Sequence, residues 1–105
     1  MEQELIHQKD AEKLQKAANM MKAIAHPLRI RIIELLEKYG KLNVGELMEL
    51  LGENQAVVSH HLIRMKDRDV LICEKDGKKR VYKLGDPQIT GIIHCISQCQ
   101  ININE

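Results

Sequence analysis

The 105-residue chain contains no Trp and no Phe, only two Tyr and two Pro, and three Cys. Without large aromatics, any core must be assembled from Leu, Ile, Val and Met. A single domain of this length buries about 60–70% of its unfolded surface. The odd, low cysteine count excludes a disulfide framework and fits a reduced, cytoplasmic chain whose thiols are packed, reactive or metal-bound. No apolar run approaches the roughly 20 residues that span a bilayer, so no membrane partner is expected. The opening Met-Glu-Gln-Glu-Leu-Ile-His-Gln-Lys-Asp has neither a basic start nor an apolar stretch, so no signal peptide is expected. A Gly-rich phosphate loop and a grouped carboxylate pair are also missing, which argues against an enzyme.

Net charge is small, at +1, but the charges are unevenly spread. Residues 1–53 hold 8 Lys/Arg against 9 Asp/Glu, residues 54–83 hold 8 against 4, and residues 84–105 hold none against 2. The positive excess is thus confined to one third of the chain, as a focused polyanion footprint requires.

That third opens with Gly52-Glu-Asn-Gln-Ala-Val-Val-Ser-His-His-Leu-Ile-Arg-Met-Lys66. Taken as a helix from about Gln55, it has an apolar stripe at Val58, Leu62 and Met65. The opposite face carries Ala56, Ser59, His60, Ile63, Arg64 and Asp67, with His61 near the stripe's edge. Short hydrogen-bonding groups beside an apolar one able to touch a thymine methyl suit the DNA major groove. The same pattern alone also describes a solvated amphipathic helix, so its surroundings must decide.

Upstream, Asn43-Val-Gly-Glu46 predicts a capping box opening a helix that carries Val44, Leu47, Leu50 and Leu51 and is stopped by Gly52. Two short helices separated by Gly-Glu-Asn make a helix-turn-helix, whose second helix enters the groove. Before them, Pro27 at the first helical position starts a helix to about Lys38, ended by Gly40. Its inward residues are Leu28, Ile32, Ile33, Leu35 and Leu36, with Arg29 and Arg31 outward; His26 reads as a boundary residue. Residues 4–21 form a first helix with Leu14, Ala17, Ala18 and Met21 on one side. It has too little to bury against so small a domain and is expected to pack across a subunit interface.

Downstream, Asp76-Gly77 separates two alternating segments and predicts a hairpin with a two-residue type I′ turn. That turn pairs Lys75 with Lys78, Glu74 with Lys79, Ile72 with Val81 and Leu71 with Tyr82, and sets Cys73 opposite Arg80. The tip gathers Lys75, Lys78, Lys79 and Arg80, a basic wing placed to meet phosphates. A solubilising charged hairpin is the alternative. Asp86-Pro87 then opens a last helix with Ile89, Ile92, Ile93 and Ile96 on a broad apolar side and Cys95 and Cys99 at i, i+4.

The predicted fold is mainly α with a small β-hairpin, a single winged helix-turn-helix domain over residues 1–105 in the order α-α-α-α-β-β-α. Four segments, His26-Pro-Leu-Arg29, Val44-Gly-Glu-Leu47, Gln55 through Leu62, and Gly77 through Leu84, stand in an order and spacing that resembles the ArsR/SmtB family of dimeric winged-helix repressors. The resemblance implies a homodimer built on residues 1–21 and 86–100. It also implies binding of double-stranded DNA at an inverted-repeat operator, and release by a metal ion or thiol chemistry. It makes Gln55, Ser59, His60 and Arg64 the expected groove contacts, and Lys75, Lys78, Lys79 and Arg80 the expected wing contacts. Gln55 can present an amide edge to adenine, and Arg64 can fork onto guanine where it reaches the bases.

The sensing patterns of the family are only partly matched. Where some members carry Cys-Val-Cys, this chain has Asn43-Val44-Gly45. The last-helix zinc pattern falls on Asp86, Gln88, Cys99 and Asn102, and two amides are poor zinc ligands. A second-helix cysteine for a redox pair is missing. No cofactor is required by this reading. What remains open is a site at a dyad built from Cys95, Cys99 and His94, suited to thiol chemistry or to zinc or copper(I). The same cysteines also fit as small apolar fillers. A non-specific DNA-binding or protein-interaction module without an inducer is the competing functional class.

Overall fold

In the computed structural model, residues 2–98 are described. Helix α1 (Glu2–Ile24) and helix α2 (Pro27–Tyr39) lead to a short strand β1 (Leu42–Asn43). Helices α3 (Val44–Leu51) and α4 (Gln55–Asp67) follow, then strands β2 (Leu71–Asp76) and β3 (Lys79–Leu84), and helix α5 (Gln88–Gln98).

Local chemistry sets most of the boundaries. The His26 Nδ1 accepts from the Leu28 amide at 3.1 Å and Pro27 starts α2, so the last orphan donors there are few. Asn43 and Glu46 form the reciprocal capping box at the start of α3, with bonds of 2.8 and 2.9 Å. Gly52 ends α3 at φ 67°, a left-handed conformation that glycine adopts without a Cβ penalty. Asn54 accepts from the Val57 amide at 2.9 Å and opens α4. The far end of α4 closes with two reversed bonds, Val70 N–H to Met65 O and Asp69 N–H to Lys66 O. This Schellman arrangement places Asp69, at φ 62°, where glycine is the usual occupant.

The core is aliphatic, as the composition demands. Ile32, Ile33 and Leu36 of α2 meet Leu47 of α3, Val58, Leu62 and Met65 of α4, Val70 and Leu71, and Ile89 of α5, all essentially without exposure. α2 is the central element, touching α3, α4, α5 and β3. α1 joins this core only through its end: residues 8–17 are all exposed, while Ala23 and Ile24 are buried. The radius of gyration of 16.2 Å exceeds the ~13 Å of a compact chain of this length, because that helix stands away from the body.

Four expectations are corrected. The sheet has three strands in the order β1-β3-β2, with Leu42 opposite Tyr82 and Asn43 opposite Val81. This edge strand gives the hairpin a second partner. The hairpin turn is Gly77-Lys78, so Asp76 faces Lys79, Lys75 faces Arg80, Glu74 faces Val81, Cys73 faces Tyr82 and Leu71 faces Leu84. Positive φ occurs at Gly77 (66°) and not at Lys78, the pattern of a II′ turn with glycine first. Leu50 is 44% exposed, since α3 packs through Leu47, Met48 and Leu51, and Leu28 is only half-buried. Arg29 turns inward rather than out. Its Nε donates to His61 Nδ1 and its Nη1 to the Ala23 carbonyl, both at 3.0 Å.

Candidate nucleic-acid interface

The two sides of α4 differ as an inserted helix requires. Val58, Leu62 and Met65 are sealed in the core, while Gln55, Ala56, His60, Ile63 and Arg64 are exposed and Ser59 is half-buried. Ile63, at 52% exposure, stands among polar neighbours where an apolar contact to a base methyl is available. The stop at Gly52 and the cap at Asn54 turn α3 sharply into α4, so the fully buried Leu47 and Leu62 fix the pair as one unit.

His61 is the buried polar group behind this face, 7% exposed. Its ring lies 4.5 Å from that of His26 and 5.4 Å, edge-on, from that of His60. Burial lowers its pKa below the ordinary histidine value, and His26, Arg29 and His60 act in the same direction. A neutral ring is also what the Arg29 bond demands, because Nδ1 must accept.

The wing divides into a neutralised base and a charged tip. At the base, Glu74 holds Lys83 and, at 3.3 Å, Lys41, and these two ammonium groups keep its carboxyl below the usual carboxylate range. Lys75, Lys78, Lys79 and Arg80 are exposed. Among the described residues none of the four is in an ion pair, and Asp76 is the acidic residue nearest them along the strands. Cations so displayed suit phosphate contact.

A feature the sequence did not reveal lies along the flank of α4. Asn19, Lys22 and Ala23 of α1, Arg29 of α2, and His60, Arg64 and Arg68 surround a cleft of about 260 Å³. The charge count flagged Arg68 only as part of a basic third, and nothing in the sequence tied Lys22 to it.

The proposed sensing residues are not brought together in the described part. His94 is exposed, and its Nε2 lies 2.8 Å from Glu37 Oε1. Cys95 is exposed rather than packed as a filler in this protomer, and Cys73 is half-buried. Cys99 and Asn102 lie outside the described residues. Asp86 caps α5 by accepting from the Gln88 amide at 2.9 Å. Among the described residues no group of three or more His, Cys, Asp or Glu is placed to hold a metal ion.

Residues 26–71 match the family model described as bacterial regulatory protein, arsR family. The transcriptional repressor PagR of Bacillus anthracis is 32% identical over 94 residues, covering 90% of this chain and 94% of PagR. Its crystal structure superposes with a TM-score of 0.76, covering 82% of this chain and 98% of that one. This chain belongs to the ArsR family. Reduced HlyU from Vibrio cholerae, 26% identical, also superposes with a TM-score of 0.76 over 89% of this chain and 99% of that one. A probable mercury resistance operon repressor of Streptomyces lividans is 30% identical over 76 residues, covering 72% of this chain and 60% of its own length. As an ArsR-family winged helix-turn-helix protein, the chain is a DNA-binding transcriptional regulator rather than an enzyme. No helix among the described residues is long and apolar enough to cross a membrane.

Proposed function

We propose that the protein is a cytoplasmic repressor that binds an inverted-repeat operator as a homodimer. Gln55, Ser59, His60 and Arg64 enter the major groove, and Lys75, Lys78, Lys79 and Arg80 grip the adjacent backbone. The observation that carries this reading is the exposure of one polar face of α4 while its other face is fully buried. The dimer reading draws on apolar surface left uncovered by the first and last helices. Leu14, Met21 and Ile96 are 70, 52 and 51% exposed, and Met21, Ile24, Ala25, Ile30, Ile92, Ile93 and Ile96 line an almost wholly apolar groove of about 230 Å³. Two such faces joined at a dyad set paired α4 helices about 34–36 Å apart, one duplex turn. The single domain then spans residues 1–105, with residues 1–21 and 86–100 supplying the dimer contacts.

Operator discrimination tests the reading. Binding to duplexes from the region upstream of its own gene is compared with binding to random duplex over a salt series. Gln55→Ala should remove about 1–3 kcal/mol of that discrimination. Equal binding to both duplexes, abolished by moderate salt, would instead establish non-specific association.

Release by thiol chemistry at Cys95 and Cys99 completes the proposal, and the exposure of Cys95 supports it. Oxidants and zinc or copper(I) are added to the reduced protein on its operator. Release that survives a Cys95→Ser/Cys99→Ser pair would remove both cysteines from any sensing role, and a His94→Ala variant tests the neighbouring histidine separately.

A further inference from the structure

The cleft beside α4 draws its walls from three helices: Lys22 and Asn19 from α1, Arg29 from α2, and His60 from the middle of α4, Arg64 from its second half and Arg68 from its cap. We infer that this cleft seats a phosphate group, and that on the operator the group is a backbone phosphodiester flanking the half-site. The inference rests on α4 being the helix that enters the groove.

Four cations line the cleft and no carboxylate does. Among the described residues, Lys22, Arg64 and Arg68 have no ion pair. Like charges gathered this closely oppose one another unless an anion enters between them. Arg29 is already oriented by its bonds to Ala23 and His61, which use Nε and Nη1 and leave Nη2 available. Lys22, His60, Arg64 and Arg68 are exposed, so a rail of phosphates can reach them. Arg68 also borders a neighbouring cleft of about 380 Å³ whose lining includes Asp67, Asp69 and Asp86. The basic site is therefore bounded on that side.

Position along α4 decides which part of the duplex supplies the anion. Base edges are read by the N-terminal residues of a recognition helix, here beginning at Gln55. Arg64 and Arg68 lie at the other end and share a cleft with α1, which lies outside the helix-turn-helix. Arg64, at the far end of the helix lying in the groove, accordingly reaches a backbone phosphate at the groove's edge in place of the guanine fork the sequence allows. Its contribution, with those of Lys22 and Arg68, is to affinity on any duplex.

The test uses the full chain, with fluorescence anisotropy on operator and random duplexes across a salt series. Lys22→Ala and Arg68→Ala alter exposed side chains outside the core, and Lys79→Ala in the wing serves as reference. Each cleft variant should weaken both duplexes by the same factor and flatten the log–log salt slope by about 0.9 per lost phosphate contact. Arg64→Ala should do the same without changing the operator-to-random ratio. Cleft variants with unchanged slopes, alongside a flattened Lys79→Ala, would overturn the cleft and leave the DNA reading intact. Slopes unchanged in all of them, Lys79→Ala included, would overturn both. Orthophosphate added to DNA-free protein and followed by ³¹P line broadening separates the sources. Broadening that Arg68→Ala abolishes while its DNA slope stays unchanged would assign the cleft to a free anion and overturn the backbone assignment.

Discussion

The helix-turn-helix with its wing and the pair formed by α1 and α5 are finished to different degrees. In the first region each helix end carries its own stop or cap, at Asn43, Gly52, Asn54 and Asp69, and apart from Leu50, Ile63 and Ile72 what is left exposed is largely polar. In the second, Leu14, Met21 and Ile96 face outward and residues 8–17 of α1 are all exposed. One region is complete as a surface for a polar, charged partner. The other is a hydrophobic face that a monomer has no use for, and patches of this kind mark protein contacts.

The sharpest way to break this contrast is to truncate one leucine on each side. Leu62→Ala, with no exposure and full contact in the core, should cost about 2–5 kcal/mol in denaturant unfolding. Leu14→Ala, 70% exposed, should leave the stability of the folded body unaltered and instead weaken self-association in sedimentation. Equal losses from the two would erase the distinction. A smaller effect isolates the local finish of the first region: Asn43→Ala removes the acceptor for the Glu46 amide and should cost about 1 kcal/mol, read by the same unfolding curves.

The smallest effect is with pH. His61 prefers the neutral form when folded, so the unfolded chain takes up its proton first as pH falls below the ordinary 6.5. Its stabilising contribution is complete above that value and is lost as pH drops towards the lowered folded pKa. A melting series from pH 7.5 to about 5 should show falling stability, and His61→Gln, which keeps an acceptor for Arg29 without titrating, should flatten that fall.

What was legible in the sequence was local. The capping box at Asn43 and Glu46, the proline start at Pro27, the glycine stop at Gly52 and the stripe of Val58, Leu62 and Met65 all depend on residues within a turn or two. The hairpin register was not fixed by such signals. Moving the turn from Asp76-Gly77 to Gly77-Lys78 shifts each cross-strand partner by two, and a shift of two leaves every side chain on the same face. Alternation therefore fits both registers equally. Strand β1, two residues long, has no period to detect. Arg29 was placed outward by its angle on the helix, whereas a long side chain can carry its head group around the helix to a partner. The basic cleft was hidden for a simpler reason: Lys22 and Arg64 meet only after α1 has packed on α4.

The guanidinium of Arg29 springs from α2, is fastened to the final turn of α1 through the Ala23 carbonyl, and is fastened to α4 through His61. Three helices are pinned at a single planar group, like spokes at a hub. Whatever tilts α1, whether assembly of two chains or its disruption, must either drag the groove-facing helix along or snap one of two short bonds.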